Sequence, residues 1–104
     1  GVVLGYVSLS PFREKEAYDA TVELSIYLDR TARGRGVGSA LMSFILEQAR
    51  RDDRIHNVVS VITGGNEVSI RLHEKFGFVC CGVIPEVGYK FGQYLDTIFY
   101  YLLV

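Results

Sequence analysis

The chain has 104 residues, of which 49% are hydrophobic and 22% charged, and its formal net charge is −1. This length predicts one small domain, and the apolar fraction excludes an intrinsically disordered chain. The nearly neutral charge gives no electrostatic basis for binding nucleic acid, and no apolar run approaches the roughly 18 residues of a membrane span. We therefore expect a globular domain that binds neither nucleic acid nor a membrane.

The pattern of apolar residues predicts five strands and two helices. The second strand alternates between apolar and functional side chains, which is typical of a strand with one buried face, and it is expected to pair antiparallel with the first. Both helices are amphipathic, and Asn66 and Gly77 are expected to begin and end the second. In chain order the predictions are strands at 2–9 and 21–28, a helix at 37–50, a strand at 58–63, a helix at 66–77, and strands at 78–84 and 97–103.

Two segments carry more detailed expectations. Residues 12–19 are polar and predict a connection, whereas residues 85–96 hold glycines among aromatic residues and predict a loop or the arm of a long hairpin. Together the elements predict an α/β (α+β) fold with a mixed sheet and helices packed against it.

The first helix is predicted to bury one stripe of side chains against the sheet. This stripe consists of Val37, Leu41, Phe44, Ile45 and Ala49.

The two cysteines, Cys80 and Cys81, are adjacent in the sequence. Neighbouring residues of a strand point to opposite faces, so we expect no disulfide between them. Two cysteines do not make a zinc site, and we expect no bound metal. We interpret both as reduced residues of a cytoplasmic protein.

The segment with the most chemical information lies between the second strand and the first helix. It reads Arg33-Gly34-Arg35-Gly36-Val37-Gly38-Ser39. Glycines leave backbone N–H groups unobstructed, the helix N-terminus adds a positive dipole end, and arginines suit phosphate oxygens, so this segment predicts a pyrophosphate-binding loop. It lacks the Gly-Lys-Ser/Thr ending of a nucleoside triphosphate loop and the glycine spacing of a dinucleotide fold. The alternative is a glycine-rich turn with two solvated arginines.

This segment resembles the Arg/Gln-x-x-Gly-x-Gly/Ala signature of the GNAT superfamily of N-acetyltransferases, which bind acetyl-coenzyme A. The run 66–78, Asn-Glu-Val-Ser-Ile-Arg-Leu-His-Glu-Lys-Phe-Gly-Phe, is similar to the family region in which an asparagine opens the next helix. Residues 17–27 and 88–96 further resemble the branch that acetylates phosphinothricin and methionine sulfoximine. The resemblance covers nearly the whole chain.

The resemblance implies a GNAT-like acyl-CoA N-acyltransferase fold in which the amino-terminal strand and helices are missing. It implies transfer of an acetyl group from acetyl-CoA, as co-substrate, to a primary amine of a small molecule, such as an amino acid, phosphinothricin or methionine sulfoximine, in a homodimer. The alternatives are acetylation of a protein amino terminus or a polyamine, and a truncated module that binds CoA or a partner chain without turnover. Because family members are longer, we expect residues 1–104 to be a partial domain, either a fragment or a native short form that completes its sheet by dimerising.

Acetyl transfer needs a deprotonated amine, a polarised thioester carbonyl and a protonated leaving thiolate. The resemblance implies that Glu23 is the base and that His73, which stands where the wider family has a tyrosine acid, is catalytic. The alternatives are a surface carboxylate and an inert polar residue near a helix end. The implied border of the acceptor pocket is Tyr89, Lys90 and Phe91, for which dimer packing is an equal alternative. The implied cofactor-binding residues are Ile26, Tyr27, Leu28, Arg33, Gly34, Arg35, Gly36, Val37, Gly38, Ser39, Asn66 and Ser69.

Overall fold

Residues 4–104 are described by the computed structural model, and they form five strands and two helices. The predicted start of the first strand, at Val2, lies outside the described residues. Single turns of 3-10 helix follow the first two strands. In chain order the elements are β1 (Gly5–Pro11), β2 (Thr21–Leu28), α1 (Val37–Arg51), β3 (Asn57–Thr63), α2 (Glu67–Lys75), β4 (Val79–Lys90) and β5 (Gln93–Leu103).

The five strands form one mixed sheet in the order β1-β2-β3-β5-β4. β1 and β2 pair antiparallel, as predicted, while β2 and β3 pair parallel across the crossover that contains α1. β5 pairs antiparallel with both β3 and β4. The predicted mixed α/β architecture is therefore confirmed, and it leaves β1 and β4 at the two edges of the sheet described here.

One face of the sheet and both helices form the hydrophobic core. Leu24 on β2, Val58 and Ile62 on β3 and Tyr100 on β5 are buried in this core together with the inner side of α1. Partly buried residues of α2, among them Leu72, pack against the same cluster, so both helices cover the same face. Alternate residues of a strand point to opposite faces, and this places Glu23 on the face that the helices leave uncovered.

The buried stripe of α1 differs from the predicted one. Phe44 is 57% exposed, so its assignment to the core was wrong, and Val37 and Leu41 are only partly buried. Helix periodicity alone leaves a rotation of about one residue, or 100°, undecided when apolar residues surround much of the helix. The side that packs on the sheet is formed by Gly38, Met42, Ile45, Leu46 and Ala49.

Residues 85–96, for which a loop and a hairpin arm were both open, belong to a hairpin. β4 and β5 pair as far as Lys90 and Gln93, and the turn between them has positive φ at both Phe91 (53°) and Gly92 (75°). This is the pattern of a two-residue turn that matches the twist of an antiparallel pair. The register shifts near Cys81 and again before Gly88, so β4 is an irregular strand.

Two features of residues 4–104 bear on possible partners. None of the helices found there combines the length and the apolar character that crossing a membrane requires. Within the same range, His, Cys, Asp and Glu side chains do not gather in groups of three or more that could hold a metal ion.

Candidate functional site

The site lies where the parallel strands β2 and β3 separate. Their ladder ends with Leu24 opposite Ser60. Beyond that point β2 continues to Leu28 along β1, and β3 continues to Thr63 along β5. The edge of β2 that faces the gap therefore carries backbone groups without a strand partner, and such groups can pair with an extended ligand as another strand would.

Two adjoining cavities occupy this gap. The loop cavity lies next to the glycine-rich segment, and the cleft cavity lies between the diverging strands. They share the lining residues Ile26, Asn66 and Ser69, so they lie side by side, and the two together are called the groove below. The lining of the loop cavity includes Ile26, Tyr27, Leu28, Arg33, Asn66 and Ser69, and that of the cleft cavity includes Glu23, Ile26, Ser60, Asn66, Ser69 and His73.

The glycine-rich segment connects β2 to α1 at one end of the groove. Gly34 and Gly36 adopt positive φ angles of 76° and 77°, which a residue with a side chain reaches only with strain. Gly36 is also the residue that precedes α1, and it provides no side-chain cap. The first N–H groups of α1 thus lack a side-chain acceptor from this residue and are available to an anion.

Three basic residues lie in or beside the segment that leads into this helix. Arg33 and Arg35 flank Gly34, and Lys75 at the end of α2 donates a hydrogen bond of 2.9 Å from Nζ to Ser39 Oγ in the first turn of α1. No carboxylate lies within 4.0 Å of these three cations in the part of the chain that the structure describes. Cations near the positive end of the helix dipole are in an unfavourable position, and a bound anion would neutralise both. The arrangement therefore favours a bound anion.

Asn66 caps the start of α2, as predicted. Its Oδ1 accepts a hydrogen bond of 3.2 Å from the backbone N–H of Ser69, which is the contact of a helix cap. Asn66 also belongs to the lining of both cavities, so the residue that caps the helix borders the groove as well.

His73 is the most enclosed polar side chain of the site. It is 1% exposed and packs edge-on against Phe78, with ring centroids 4.9 Å apart. Its Nδ1 donates to the backbone oxygen of Ser69 at 2.7 Å, and its Nε2 lies 2.9 Å from Ser60 Oγ. Burial lowers the pKa of His73 below its ordinary value, and the hydrogen bond to Ser69 opposes this only in part. The neutral imidazole is therefore favoured, which suits a group that accepts a proton.

Glu23 lies in the lining of the cleft cavity that also contains His73 and Ser60. It is half-buried on β2, opposite Val59 in the parallel ladder. The structure thus brings the two predicted catalytic residues to one cavity, although they come from different elements and are 50 positions apart in the sequence.

The residues predicted to border the acceptor pocket lie elsewhere. Tyr89, Lys90 and Phe91 are at the tip of the β4–β5 hairpin, and none of them belongs to the lining of either cavity. Phe91 is 87% exposed, and Tyr89 packs edge-on against Tyr94 at 5.0 Å between ring centroids. Within one chain, the groove and this hairpin tip are separate features.

Sequence reasoning missed two residues of the site. Ser60 interrupts an apolar run, and a buried hydroxyl in such a run requires a hydrogen-bond partner, which is a signal that the sequence contained. Lys75 gave no comparable signal, because its contact with Ser39 joins residues 36 positions apart on two helices.

Comparisons with known proteins agree with this geometry. Residues 1–78 match the profile of the Acetyltransferase (GNAT) family. The chain is 42% identical over 99 residues to an L-methionine sulfoximine/L-methionine sulfone acetyltransferase of Pseudomonas paraeruginosa. The aligned region covers 95% of this chain and 57% of that protein. It is also 42% identical over 98 residues to a phosphinothricin N-acetyltransferase of Streptomyces coelicolor. Here the aligned region covers 94% of this chain and 57% of that protein.

The fold is also found among solved structures. A GNAT superfamily phosphinothricin acetyltransferase from Sinorhizobium meliloti, solved in complex with acetyl-CoA, superposes with a TM-score of 0.90 at 38% identity, covering 100% of this chain and 56% of that one. The chain thus spans a little more than half the length of these relatives. The profile match covers three quarters of its residues, and the chain belongs to the acetyltransferase (GNAT) family.

Proposed function

We propose that this chain takes part in transferring an acetyl group from acetyl-CoA to a primary amine of a small molecule, an amino acid or an analogue such as phosphinothricin or methionine sulfoximine. The observation that carries the proposal is the groove, in which a cavity lined by Arg33 of the glycine-rich segment adjoins a cavity lined by Glu23 and His73. The names of the relatives point to the same class of acceptor.

Each part of the groove would make a different kind of contact with acetyl-CoA. The N–H groups of residues 34–39, with Arg33 and Arg35, would hold the pyrophosphate. The free backbone edge of Ile26, Tyr27 and Leu28 would pair with the pantetheine amides, beside Asn66 and Ser69. The thioester end would then reach the cleft cavity, where the amine is acylated.

An ammonium group is not a nucleophile, so the acceptor must lose a proton before it attacks the thioester. The Glu23 carboxylate is an acceptor for that proton, either directly or through a water molecule. Neutral His73 is a second acceptor at the same cavity, and after attack it can return a proton to the leaving thiolate.

Calorimetric titration with acetyl-CoA and a thiol-release assay over a panel of small amines test the proposal. We expect binding of acetyl-CoA, turnover with at least one amino acid or analogue, and a loss of kcat/KM of about 100-fold or more in Glu23→Gln. Glu14→Gln removes an exposed carboxylate from the connection between β1 and β2 and is the matched control.

Three results would contradict this proposal in different ways. If the chain does not bind acetyl-CoA, the proposed acetyl transfer is wrong as a whole. Binding without turnover on any amine would favour a CoA-binding module, and turnover only on peptides or polyamines would replace the acceptor class. Equal activity of Glu23→Gln and Glu14→Gln would exclude Glu23 as the base.

We further propose a homodimer that acts in a reducing compartment such as the cytoplasm. The dimer is supported by exposed apolar residues along the hairpin, among them Val83, Val87 and Phe91, and by the free edge of β4. The compartment is supported by Cys80 and Cys81, which are exposed, free thiols.

A further inference from the structure

His73 does not have a free ring nitrogen to offer to a substrate. It is 1% exposed, and Ser69 and Ser60 occupy its two nitrogens at 2.7 and 2.9 Å. A proton that passes between His73 and the groove must therefore pass through one of these two partners.

The hydrogen-bond partners fix the tautomer of His73. The backbone oxygen of Ser69 can only accept, so Nδ1 carries a hydrogen. In the neutral ring Nε2 is then an acceptor, and the Ser60 hydroxyl must donate to it. The Ser69 hydroxyl is 3.4 Å from Nδ1, which already has its nearer partner in the Ser69 carbonyl, so the geometry favours the Ser60 side.

Ser60 has the position that a proton relay requires. It is 2% exposed, it stands where the β2–β3 ladder ends, and it lies in the lining of the cleft cavity with Glu23. Its oxygen keeps lone pairs that can accept a proton from that cavity while its own hydrogen points to His73. We propose that the Ser60 hydroxyl relays protons between His73 and the cleft cavity, an inference that rests on the proposed acetyl transfer.

The relay conserves protons and leaves Ser60 unchanged. When the acceptor ammonium, or a water molecule bound to it, gives a proton to Ser60 Oγ, the original hydroxyl proton moves to His73 Nε2. The imidazolium that forms is stabilised at Nδ1 by the Ser69 carbonyl. Reversal of the two transfers delivers one proton to the leaving thiolate. His73 is the proton store in this scheme, and the Ser60 hydroxyl is the group that carries each proton between His73 and the cavity.

The relay predicts a specific kinetic result for Ser60→Ala. Because substrate binding does not use the hydroxyl, we expect kcat to fall by about tenfold or more while KM for acetyl-CoA changes by less than about threefold. Ser60→Thr keeps a hydroxyl and should retain more activity than Ser60→Ala. Ser8→Ala removes a strand serine from the exposed side of β1 and is the matched control.

Two further measurements distinguish a relay from a purely structural hydroxyl. In mixtures of H2O and D2O, the rate of the wild-type chain should depend non-linearly on the deuterium fraction, since two protons move together, and Ser60→Ala should lose this curvature. Nitrogen NMR of His73 should show hydrogen on Nδ1 and a hydrogen-bonded Nε2, and the Nε2 resonance should shift in Ser60→Ala but not in Ser8→Ala.

The outcomes separate the relay from the proposed function. If the wild-type chain turns over and a folded Ser60→Ala is equally active, the relay is excluded and the acetyltransferase assignment stands. If the Nε2 resonance is the same in both variants, the hydrogen bond on which the relay depends is absent. If the wild-type chain acetylates no amine, the proposed function fails and the relay fails with it.

Discussion

His73 has two roles that compete physically. As a core residue it packs against Phe78 and near Tyr100, and its enclosure stabilises the neutral ring. As a candidate proton acceptor it must become charged in the same enclosed place. The hydrogen bond from Nδ1 to the Ser69 carbonyl reduces this conflict, because it remains favourable when the ring is protonated.

The lowered pKa of His73 predicts that stability depends on pH in a defined window. The ordinary pKa of about 6.5 applies to the unfolded chain, which therefore binds more protons than the folded chain below about pH 6.5. The free energy of unfolding should be level above that pH and should fall as the pH decreases toward the folded-state pKa of His73. Thermal or denaturant unfolding measured from about pH 7.5 to about pH 5 tests this.

Two variants assign this pH dependence to His73. His73→Gln should be less stable than the wild type at neutral pH and should lose the slope, whereas His56→Gln, which changes an exposed histidine, should keep it. Asp52, whose pKa is lowered to about 2 by hydrogen bonds from Arg54, affects stability only at lower pH and does not enter this window. An unchanged slope in His73→Gln would show that another group titrates.

The connection between β2 and α1 depends on its backbone rather than on side-chain packing. Gly34 and Gly36 both have positive φ, and a Cβ at either position would meet no atom within 4 Å. A side chain would thus fit in space but would strain the backbone. The same strain would turn N–H groups of this segment away from an anion, so loop geometry and anion binding are coupled.

Gly36→Ala should lower both stability and affinity for acetyl-CoA. A left-handed residue other than glycine costs roughly 1–2 kcal/mol, and affinity should fall by up to about tenfold if a similar strain displaces the donors. Gly36→Asn should lose less stability and less affinity than Gly36→Ala, because asparagine tolerates the left-handed conformation. Chemical denaturation and calorimetry measure the two effects.

Gly82→Ala is the matched control for this glycine. Gly82 also has open space where a Cβ would stand, but its φ is not in the left-handed region. The control should change stability by no more than about 0.5 kcal/mol and should leave acetyl-CoA affinity unchanged. If Gly36→Ala binds acetyl-CoA as tightly as Gly82→Ala does, the loop does not hold the cofactor.

At the scale of the whole molecule, the sheet described here has an exposed edge on each side. β4 carries large exposed apolar residues, while β1 carries the exposed Tyr6, which stacks on Tyr27 at 5.5 Å between ring centroids. Unpaired strand edges with apolar side chains favour association. The hairpin has more of this surface than β1 has, so we expect dimerisation to occur there.

Val83→Lys should weaken the proposed dimer by about tenfold or more, because it places a charge on the apolar side chains of β4. Sedimentation or light scattering across a concentration series measures the change. Phe44→Lys alters an equally exposed apolar residue of α1 and should leave the dimer intact. A monomeric wild type, or dissociation by Tyr6→Lys but not by Val83→Lys, would contradict an interface on the hairpin.

Local patterns were sufficient to predict most elements of this protein, although β4 and β5 extend beyond the predicted strands. The alternation at 21–28 gave the bounds of β2, Asn66 was found as the cap of α2, and the glycine-rich segment was found between a strand and a helix. Each of these features depends on residues that are neighbours in the sequence, and local backbone preference and periodicity report on such residues directly. The family signature lies in the same local segments, which is why it could be recognised.

Long-range contacts decided the rest. The divergence of β2 and β3, which forms the groove, follows from the partners that each strand has in the sheet. Which side of α1 is buried was set by the surface beneath it, so Phe44 faces outward. The sequence alone indicated the family and predicted most of the residues that line the groove, because its motifs are local. Only the tertiary structure decided that His73 is enclosed and that its Nε2 lies against Ser60 Oγ, because burial and hydrogen bonds between distant segments arise when the elements pack.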